Sequence, residues 1–389
     1  MLFISLSAVL LAACSAITVK TLVGYTPMRK IYKIAVCLVV TAGWFAPFVT
    51  AAFWRLKRFS SETYAAVWQY SYLLFGVCFL LLCLILARDF VWFAVYKFMK
   101  WREMPVAGRF DPMNPRLIVR ANLAVLVLSA AGVLYGWHEG TKMPAYKHVV
   151  IETPKLSEPF TIAVLSDLHI NPATSPERVG KIVEKTNAMK PDAVILAGDT
   201  VDAFPRMIKP QLKALRKFKA RYGTFVVLGN HEFYFGSVVW ERRFRRMGFH
   251  YLGNTGVKIW GGDVFIAGVP DPRMLRMSPL MKESVIRTLK EKQDGAYGVF
   301  VSHSPAFVKE LDKDLVDLQI SGHTHGGQIF PFHFIAKRMN KGFLAGLYDV
   351  SGIKLYVSRG AGGWGPPMRL FAPSEIAVIH LIPEKKAEP

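Results

Sequence analysis

The sequence predicts two parts of different class. Residues 1–140 read as an all-α unit of four membrane-spanning helices, residues 156–389 as an α/β domain, and residues 141–155 as a linker. Two observations carry this reading. Hydrophobic residues make up 52% of the 389 residues, mean hydropathy is +0.26, and that surplus is concentrated before residue 140. From residue 160 onward, short apolar runs alternate with amphipathic ones, as strands joined by helices do.

Four apolar stretches, Leu2–Val19, Ile34–Trp54, Ala65–Ala87 and Leu117–Trp137, approach the roughly 20 residues a helix needs to cross a bilayer. One such stretch could be a buried soluble helix. Four in succession, flanked by Lys/Arg and carrying Trp and Tyr near their ends, read as spans. The first loop holds Lys20, Arg29, Lys30 and Lys33, and the third holds Arg88, Lys97, Lys100, Arg102 and Arg109. The second holds Arg55, Lys57 and Arg58. The positive-inside bias therefore expects loops one and three in the cytoplasm, in a multi-pass cell (inner) membrane protein whose C-terminal domain is extracytoplasmic. Leu11-Ala12-Ala13-Cys14 resembles a lipoprotein cleavage site, but no basic residue precedes Lys20, as a secretory signal would require. The aromatic and basic segment Asp89–Met104 reads either as interfacial or as an ordinary loop helix. Lys142–Lys155, with Pro144 and Pro154, reads as the linker.

The formal charge is +21. Residues 1–140 hold 14 Lys/Arg against 5 Asp/Glu, and the remainder hold 35 against 23, so both parts are basic. Such a surplus suits nucleic acid, anionic lipid or phosphorylated substrates. No nucleic-acid motif accompanies it. With membrane segments present, the lipid bilayer is the expected partner. Cys14, Cys37, Cys78 and Cys83 all fall in the apolar stretches, so the C-terminal domain has neither a disulfide framework nor a cysteine metal site.

In the C-terminal domain the apolar runs are Phe160–Ser166, Ala193–Ala197, Thr224–Leu228, Val299–Ser302 and Leu318–Ser321, which fit strands covered on both faces. Ser175–Lys190 between the first two reads as a helix: Ser175 can cap it, Pro176 suits its first turn, and Val179, Ile182 and Val183 form an apolar stripe. The residues just past each strand matter most. In order, the strands lead into Asp167-Leu168-His169, Gly198-Asp199, Gly229-Asn230-His231-Glu232, His303, and Gly322-His323-Thr324-His325-Gly326-Gly327. Sites in α/β sheets lie beyond the carboxyl ends of strands, so these residues are expected to converge.

The residue types point to metal. Asp167 and His169 stand two apart, as do His323 and His325, and in an extended segment that spacing points both side chains the same way. Carboxylates mixed with imidazoles suit Mn, Fe, Zn or Co better than calcium. Two cations about 3.5–4 Å apart can clamp the attacking and leaving oxygens of an in-line displacement and generate hydroxide as the nucleophile. Gly198, Gly229, Gly322, Gly326 and Gly327, beside the ligands, allow sharp backbone turns.

Asp-x-His, Gly-Asp, Gly-Asn-His-Glu, a lone His and Gly-His-Thr-His, in this order, resemble the calcineurin-like metallophosphoesterases over residues 155–385. The tail Gly-His-Thr-His-Gly-Gly-Gln is similar to that of membrane-associated bacterial phosphoesterases, some of which hydrolyse UDP-2,3-diacylglucosamine in lipid A synthesis. The resemblance implies a fold of two stacked mixed sheets flanked by helices. It implies that Asp167, His169 and His325 hold one divalent cation, that Asn230, His303 and His323 hold a second, and that Asp199 bridges them. His231 would bind no metal; it would protonate the leaving group or stabilise developing charge, which makes His231 and Asp199 the expected catalytic residues. The expected activity is hydrolysis of a phosphoester or phosphoanhydride in a phosphorylated substrate, with a lipid-linked substrate as the narrower option. The alternatives are a cytoplasm-facing UDP-2,3-diacylglucosamine-type pyrophosphatase and an inactive membrane scaffold or sensor.

Other residues have plainer readings. His138, His148, His250, His333 and His380 have no ligand neighbours in sequence. Asp202 reads as a turn or cap residue, and Glu232 either orients His231 or caps a helix. Arg359, after the strand Lys354–Ser358 and before Gly360-Ala361-Gly362-Gly363, is either a phosphate-gripping fork or an exposed charge. Lys209, Lys213, Arg216, Lys217, Lys219 and Arg221 crowd one expected helix, and Arg242, Arg243, Arg245 and Arg246 another; solvated faces are the default. Ile329–Ile335 reads as core, with an apolar lip for an acyl chain as the other option.

Overall fold

Four helices build the N-terminal unit: α1 (Leu2–Val23), α2 (Lys30–Leu56), α3 (Ser61–Trp101) and α4 (Pro115–Thr141). The computed structural model describes residues 2–24, 26–56, 60–105, 114–275 and 278–384, in two units: Met1–His138 with Gly365–Met368, and Glu139–Trp364 with Arg369–Pro389. Each of the four helices is long and apolar enough to cross a membrane. Trp44, Cys78, Ile85 and Val125 form their shared core. Buried Asn122 on α4 donates to the carbonyls of Thr21 and Leu22, both at 3.3 Å, so its amide is satisfied inside the bundle. α3 differs from expectation. Its 41 residues extend roughly 60 Å at 1.5 Å per residue, about twice a ~30 Å hydrocarbon core. The stretch Asp89–Trp101 continues this helix, since it contains neither Gly nor Pro to end it. Lys57, Arg58 and Arg109 lie outside the described residues.

The C-terminal unit runs β1 (Ala145–Thr153), β2 (Phe160–Leu165), α5 (Pro176–Ala188), β3 (Ala193–Ala197), α6 (Lys209–Leu215) and β4 (Thr224–Val227). Next come α7 (Asn230–Tyr234), α8 (Ser237–Arg246), β5 (His250–Tyr251), β6 (Thr255–Ile259), β7 (Val264–Val269) and α9 (Pro279–Leu289). The chain closes with β8 (Tyr297–Ser302), β9 (Leu318–Ser321), α10 (Phe332–Met339), β10 (Gly346–Val350), β11 (Ile353–Val357) and β12 (Glu375–Pro383). All five expected site strands and the crossover helix are present. Ser175 caps α5, accepting from the Arg178 amide at 3.1 Å, and Val179, Ile182 and Val183 are its buried stripe.

Two six-stranded mixed sheets form, in the orders β1-β12-β2-β3-β4-β5 and β10-β11-β9-β8-β7-β6. They pack face to face. Ile162, Val164, Ile195 and Val227 of the first share one core with Ile266, Val299, Val301 and Ile320 of the second. Phe300, between Val299 and Val301, points instead into a second core with Val285 and Leu289 of α9. Both faces of the inner strands are therefore buried, which is why their sequences are apolar without alternation.

The expected linker is structured. β1 pairs in parallel with β12 over nine positions, from Ala145 opposite Glu375 to Thr153 opposite Pro383. Pro144 and Pro154 bracket this strand and do not interrupt it. Its mixed polarity is that of an edge strand with a solvated side. The first basic helix is also shorter than expected: α6 ends at Leu215, so Lys217, Lys219 and Arg221 lie in the turn before β4.

Candidate metal centre

The loops after β2, β3 and β4 in one sheet, and after β8 and β9 in the other, bring their side chains together at one edge. Within each sheet these strands are parallel, so their carboxyl ends open the same way. The period-two argument for Asp-x-His and His-x-His does not hold. Asp167, His169, Asp199, His323 and His325 have φ of 53°, 46°, 49°, 70° and 52°, the left-handed region, not extended backbone. Such conformations cost on the order of 1–3 kcal/mol each, and cluster where geometry serves a site. Glycine matters most at two places. Gly198 has φ 90°, and a Cβ there would lie 2.5 Å from His303 Nδ1. A Cβ on Gly229 would collide with the Asp199 carboxylate.

Three overlapping groups result. Asp167, His169 and His325 converge, as do His169, Asp199 and His231, and Asp199, His303 and His323. His169 Nε2 is 3.0 Å from His325 Nε2, and His325 Nε2 is 3.3 Å from Asp167 Oδ1. His303 Nε2 is 3.0 Å from Asp199 Oδ2 and 3.3 Å from His323 Nδ1. Asp199 Oδ2 also lies 3.9 Å from both His169 Nε2 and His231 Nε2, which puts it between the two outer groups.

The Nδ1 atoms of His303, His169 and His231 are spoken for. His303 Nδ1 faces the Ala197 carbonyl at 2.8 Å, leaving Nε2 to the cluster. Asp202 lies 2.9 Å from His169 Nδ1 and 2.6 Å from His231 Nδ1, so each of these rings also presents Nε2. The His323 amide donates to Asp167 at 3.1 Å, and the His231 amide to Asp199 at 2.8 Å.

Burial pushes Asp167 up and opposes ionisation of Asp199, yet His303 and His231 hold Asp199 well below the usual carboxylate range. Burial would lower His231, but Asp202 and Asp199 raise it to about 9. Burial and the neighbouring His303 take His323 down to about 3, the neutral form that ligates metal. The donor set fits divalent cations on a further ground. Asn230 Oδ1 and His325 Nδ1 are buried with no hydrogen-bond partner, and an unmatched amide oxygen on the residue next to His231 is an available ligand.

Comparison with known proteins agrees. The family model described as calcineurin-like phosphoesterase matches residues 160–327. An uncharacterised metallophosphoesterase of Campylobacter jejuni is 36% identical over 261 residues, 67% of this chain and 69% of the relative. The chain belongs to the calcineurin-like metallophosphoesterases. A Helicobacter pylori metallophosphoesterase is 35% identical over 254 residues, 65% of this chain and 68% of the relative. A transmembrane protein with metallophosphoesterase domain from Danio rerio is 31% identical over 276 residues, 67% of this chain and 63% of the relative. As a metallophosphoesterase the protein is a phosphoester hydrolase whose family uses divalent metal ions, and the four candidate membrane helices among the described residues, with the transmembrane relative, support a membrane location.

Several residues of this metallophosphoesterase have roles that sequence reading missed. Asp202 is no mere turn residue: it is buried and aligns two histidines. Of the two readings of Glu232, the helix cap is the one observed. Its carboxylate accepts from the amides of Gly229, Asp199, Thr200 and Val201, capping α7 and tying two ligand loops together. Burial and Asp199 raise it to about 8. Arg369 is fully buried and donates to the carbonyls of Arg359, Gly362 and Ala372 at 2.6–3.0 Å, and to that of His325 at 3.4 Å. It stitches the last ligand loop to the turn after β11, and burial brings its guanidinium down to about 10. No motif marks it. Arg359 is already engaged: its Nη1 pairs with buried Glu375 at 3.0 Å. Ile329–Ile335 is not uniformly core. Ile329 is buried, but Phe330, Phe334 and Ile335 are 41%, 64% and 53% exposed, and Phe330 meets Phe371, itself 72% exposed, at 5.8 Å.

Proposed function

We propose that this metallophosphoesterase is a dinuclear phosphohydrolase acting on a lipid-linked phosphoester or phosphoanhydride at the extracytoplasmic face of the cell membrane. The observation that supports it most is Asp199, which stands within 4 Å of ring nitrogens from both outer groups. In this reading Asp167, His169 and His325 hold one cation, Asn230, His303 and His323 the other, and Asp199 both. Mn, Fe, Zn or Co suit such donors. Bound there, the two cations would supply charge neutralisation and activation of the attacking water. The chain's own groups do the rest. His231 Nε2 faces the cluster and delivers a proton to the leaving oxygen, while Asp202 at its Nδ1 keeps the ring turned that way. Arg359 would reach a substrate phosphate only with the side of its fork that Glu375 leaves open.

The lipid-linked part of the reading is supported by the exposed Phe330, Phe334, Ile335 and Phe371, which begin five residues after His325. Membrane helices in the same chain would keep such a substrate close. The test is a hydrolysis screen of the purified full-length protein with Mn added, against lipid phosphates, nucleotide–lipid conjugates and generic diesters. The expected result is turnover of a lipid phosphate that Asp199→Asn abolishes, with metal content reduced. Full activity and two metals per chain in Asp199→Asn would overturn the metal assignment. Turnover of generic diesters alone would overturn the lipid assignment.

A further inference from the structure

Five basic residues line one surface cavity outside the metal centre. It measures about 340 Å3 and is lined by Arg206, Lys209, Arg242, Arg243 and Arg246. Arg206 comes from the segment leading into α6, Lys209 from the first turn of α6, and the other three from α8. The indole of Trp240 on α8 donates to the Ala203 carbonyl at 3.1 Å and holds the two segments together. In sequence they are two separate basic stretches; only the fold turns them toward one space.

Among the described residues, no carboxylate lies within ion-pairing distance of any of the five. The contrast with their neighbour Arg245 is direct. Arg245 pairs with Glu241 at 3.1 Å and lies over the Tyr251 ring at 4.9 Å, which makes it a surface arginine with its partners in place. Arg243 has no such partner, and its Nε is buried without a hydrogen bond. A guanidinium N–H withdrawn from water and left unmatched is a donor lacking its acceptor. Like charges lining one small space also repel unless an anion joins them. Guanidinium forks match phosphate oxygens two at a time. The volume lies at the lower end of the roughly 300–1,000 Å3 range of small-ligand sites.

We propose that this cavity is an anion site for a phosphomonoester or pyrophosphate group, separate from the metal centre and independent of which residues hold the metals. The group could come from a soluble phosphate or from a lipid with a phosphomonoester headgroup, and the experiment separates these. Purified full-length protein in non-ionic detergent would be treated with phenylglyoxal, and arginine modification read by mass spectrometry, with and without inorganic pyrophosphate or short-chain phosphatidic acid. Arg242, Arg243 and Arg246 should be protected at least several-fold, and Arg245 and Arg287 should not. Protection by pyrophosphate indicates a soluble source, and protection by phosphatidic acid alone a lipid source. In calorimetry, the double variant Arg243→Gln/Arg246→Gln should lose a binding component that Arg245→Gln retains, and added salt should weaken that component. If the double variant fails to fold, Arg243→Lys keeps the charge, loses the fork, and should bind at least several-fold more weakly. Equal modification of all five arginines with either ligand, or wild-type binding in Arg243→Lys, overturns the proposal.

Discussion

At the scale of single residues, Asp202 and His231 carry the most specific expectations. Asp202 faces the Nδ1 of both His169 and His231 and is itself buried. Burial would raise its pKa, but the two imidazoles bring it to about 2, so it stays anionic. Asp202→Asn preserves the shape and removes the charge that holds both rings. Losing an outer partner of this kind costs about 10–100-fold in metal affinity or activity. Metal titration of the variant should show that loss without a matching drop in thermal stability; wild-type affinity would mean Asp202 is only structural. His231→Ala should keep its metals and lose turnover, by about 10²–10⁴-fold for substrates with poor leaving groups. Nitrophenolate esters, which need no proton, should suffer less. An equal loss on both substrate types would remove His231 from the acid role.

At the scale of elements, β1 and β12 meet in a histidine pair. His148 Nδ1 lies 3.0 Å from His380 Nε2, with the rings stacked at 5.3 Å, and Thr161 of β2 approaches the other ring nitrogen of His380 at 3.4 Å. Burial, and next His148, lower the His380 pKa. Its folded pKa is thus below the unfolded value of about 6.5. The unfolded chain then binds the proton more tightly, so this contribution to stability is present above about pH 6.5 and fades as pH falls through the folded value. Melting temperature measured from pH 7.5 downward should drop more steeply for the wild-type protein than for His380→Gln. Parallel curves would show that the strand pair is indifferent to this proton. The same pairing explains why the linker reading failed. A half-solvated edge strand has no apolar run, and its strand partner is β12, more than two hundred residues later.

At the scale of the whole molecule, the feature with most functional weight is the side of the membrane that the active domain faces. Loops one and three are rich in Lys/Arg and loop two is poor, and the proposed function rests on the orientation this bias favours, with the C-terminal domain outside the cytoplasm. All four cysteines are free and none lies in that domain. Replacing them gives a background in which Lys290→Cys, on the exposed end of α9, reports on the domain, and Arg29→Cys on the first loop. A membrane-impermeant thiol reagent added to intact cells, or to cells with a permeabilised outer membrane, should label Lys290→Cys and spare Arg29→Cys. The reverse pattern would place the site with cytoplasmic substrates and favour a nucleotide–lipid pyrophosphatase.

By itself the sequence determined whatever is local: apolar length, strand-forming runs, the Ser175 cap, and the ligand-type residues just past each strand. These depend on a few neighbouring side chains, so they can be read in order along the chain. The tertiary structure decided what depends on distant partners. Asp202 becomes an aligning carboxylate only because two loops fold over it, and Arg369 matters only because five carbonyls surround it. The left-handed backbone at five candidate ligands was likewise invisible, because such φ values are imposed by surrounding packing and not by the residues' own preferences. Ile329–Ile335 shows the same limit: an apolar run states that burial would be favourable, but only the fold says which of its side chains have anything to be buried against.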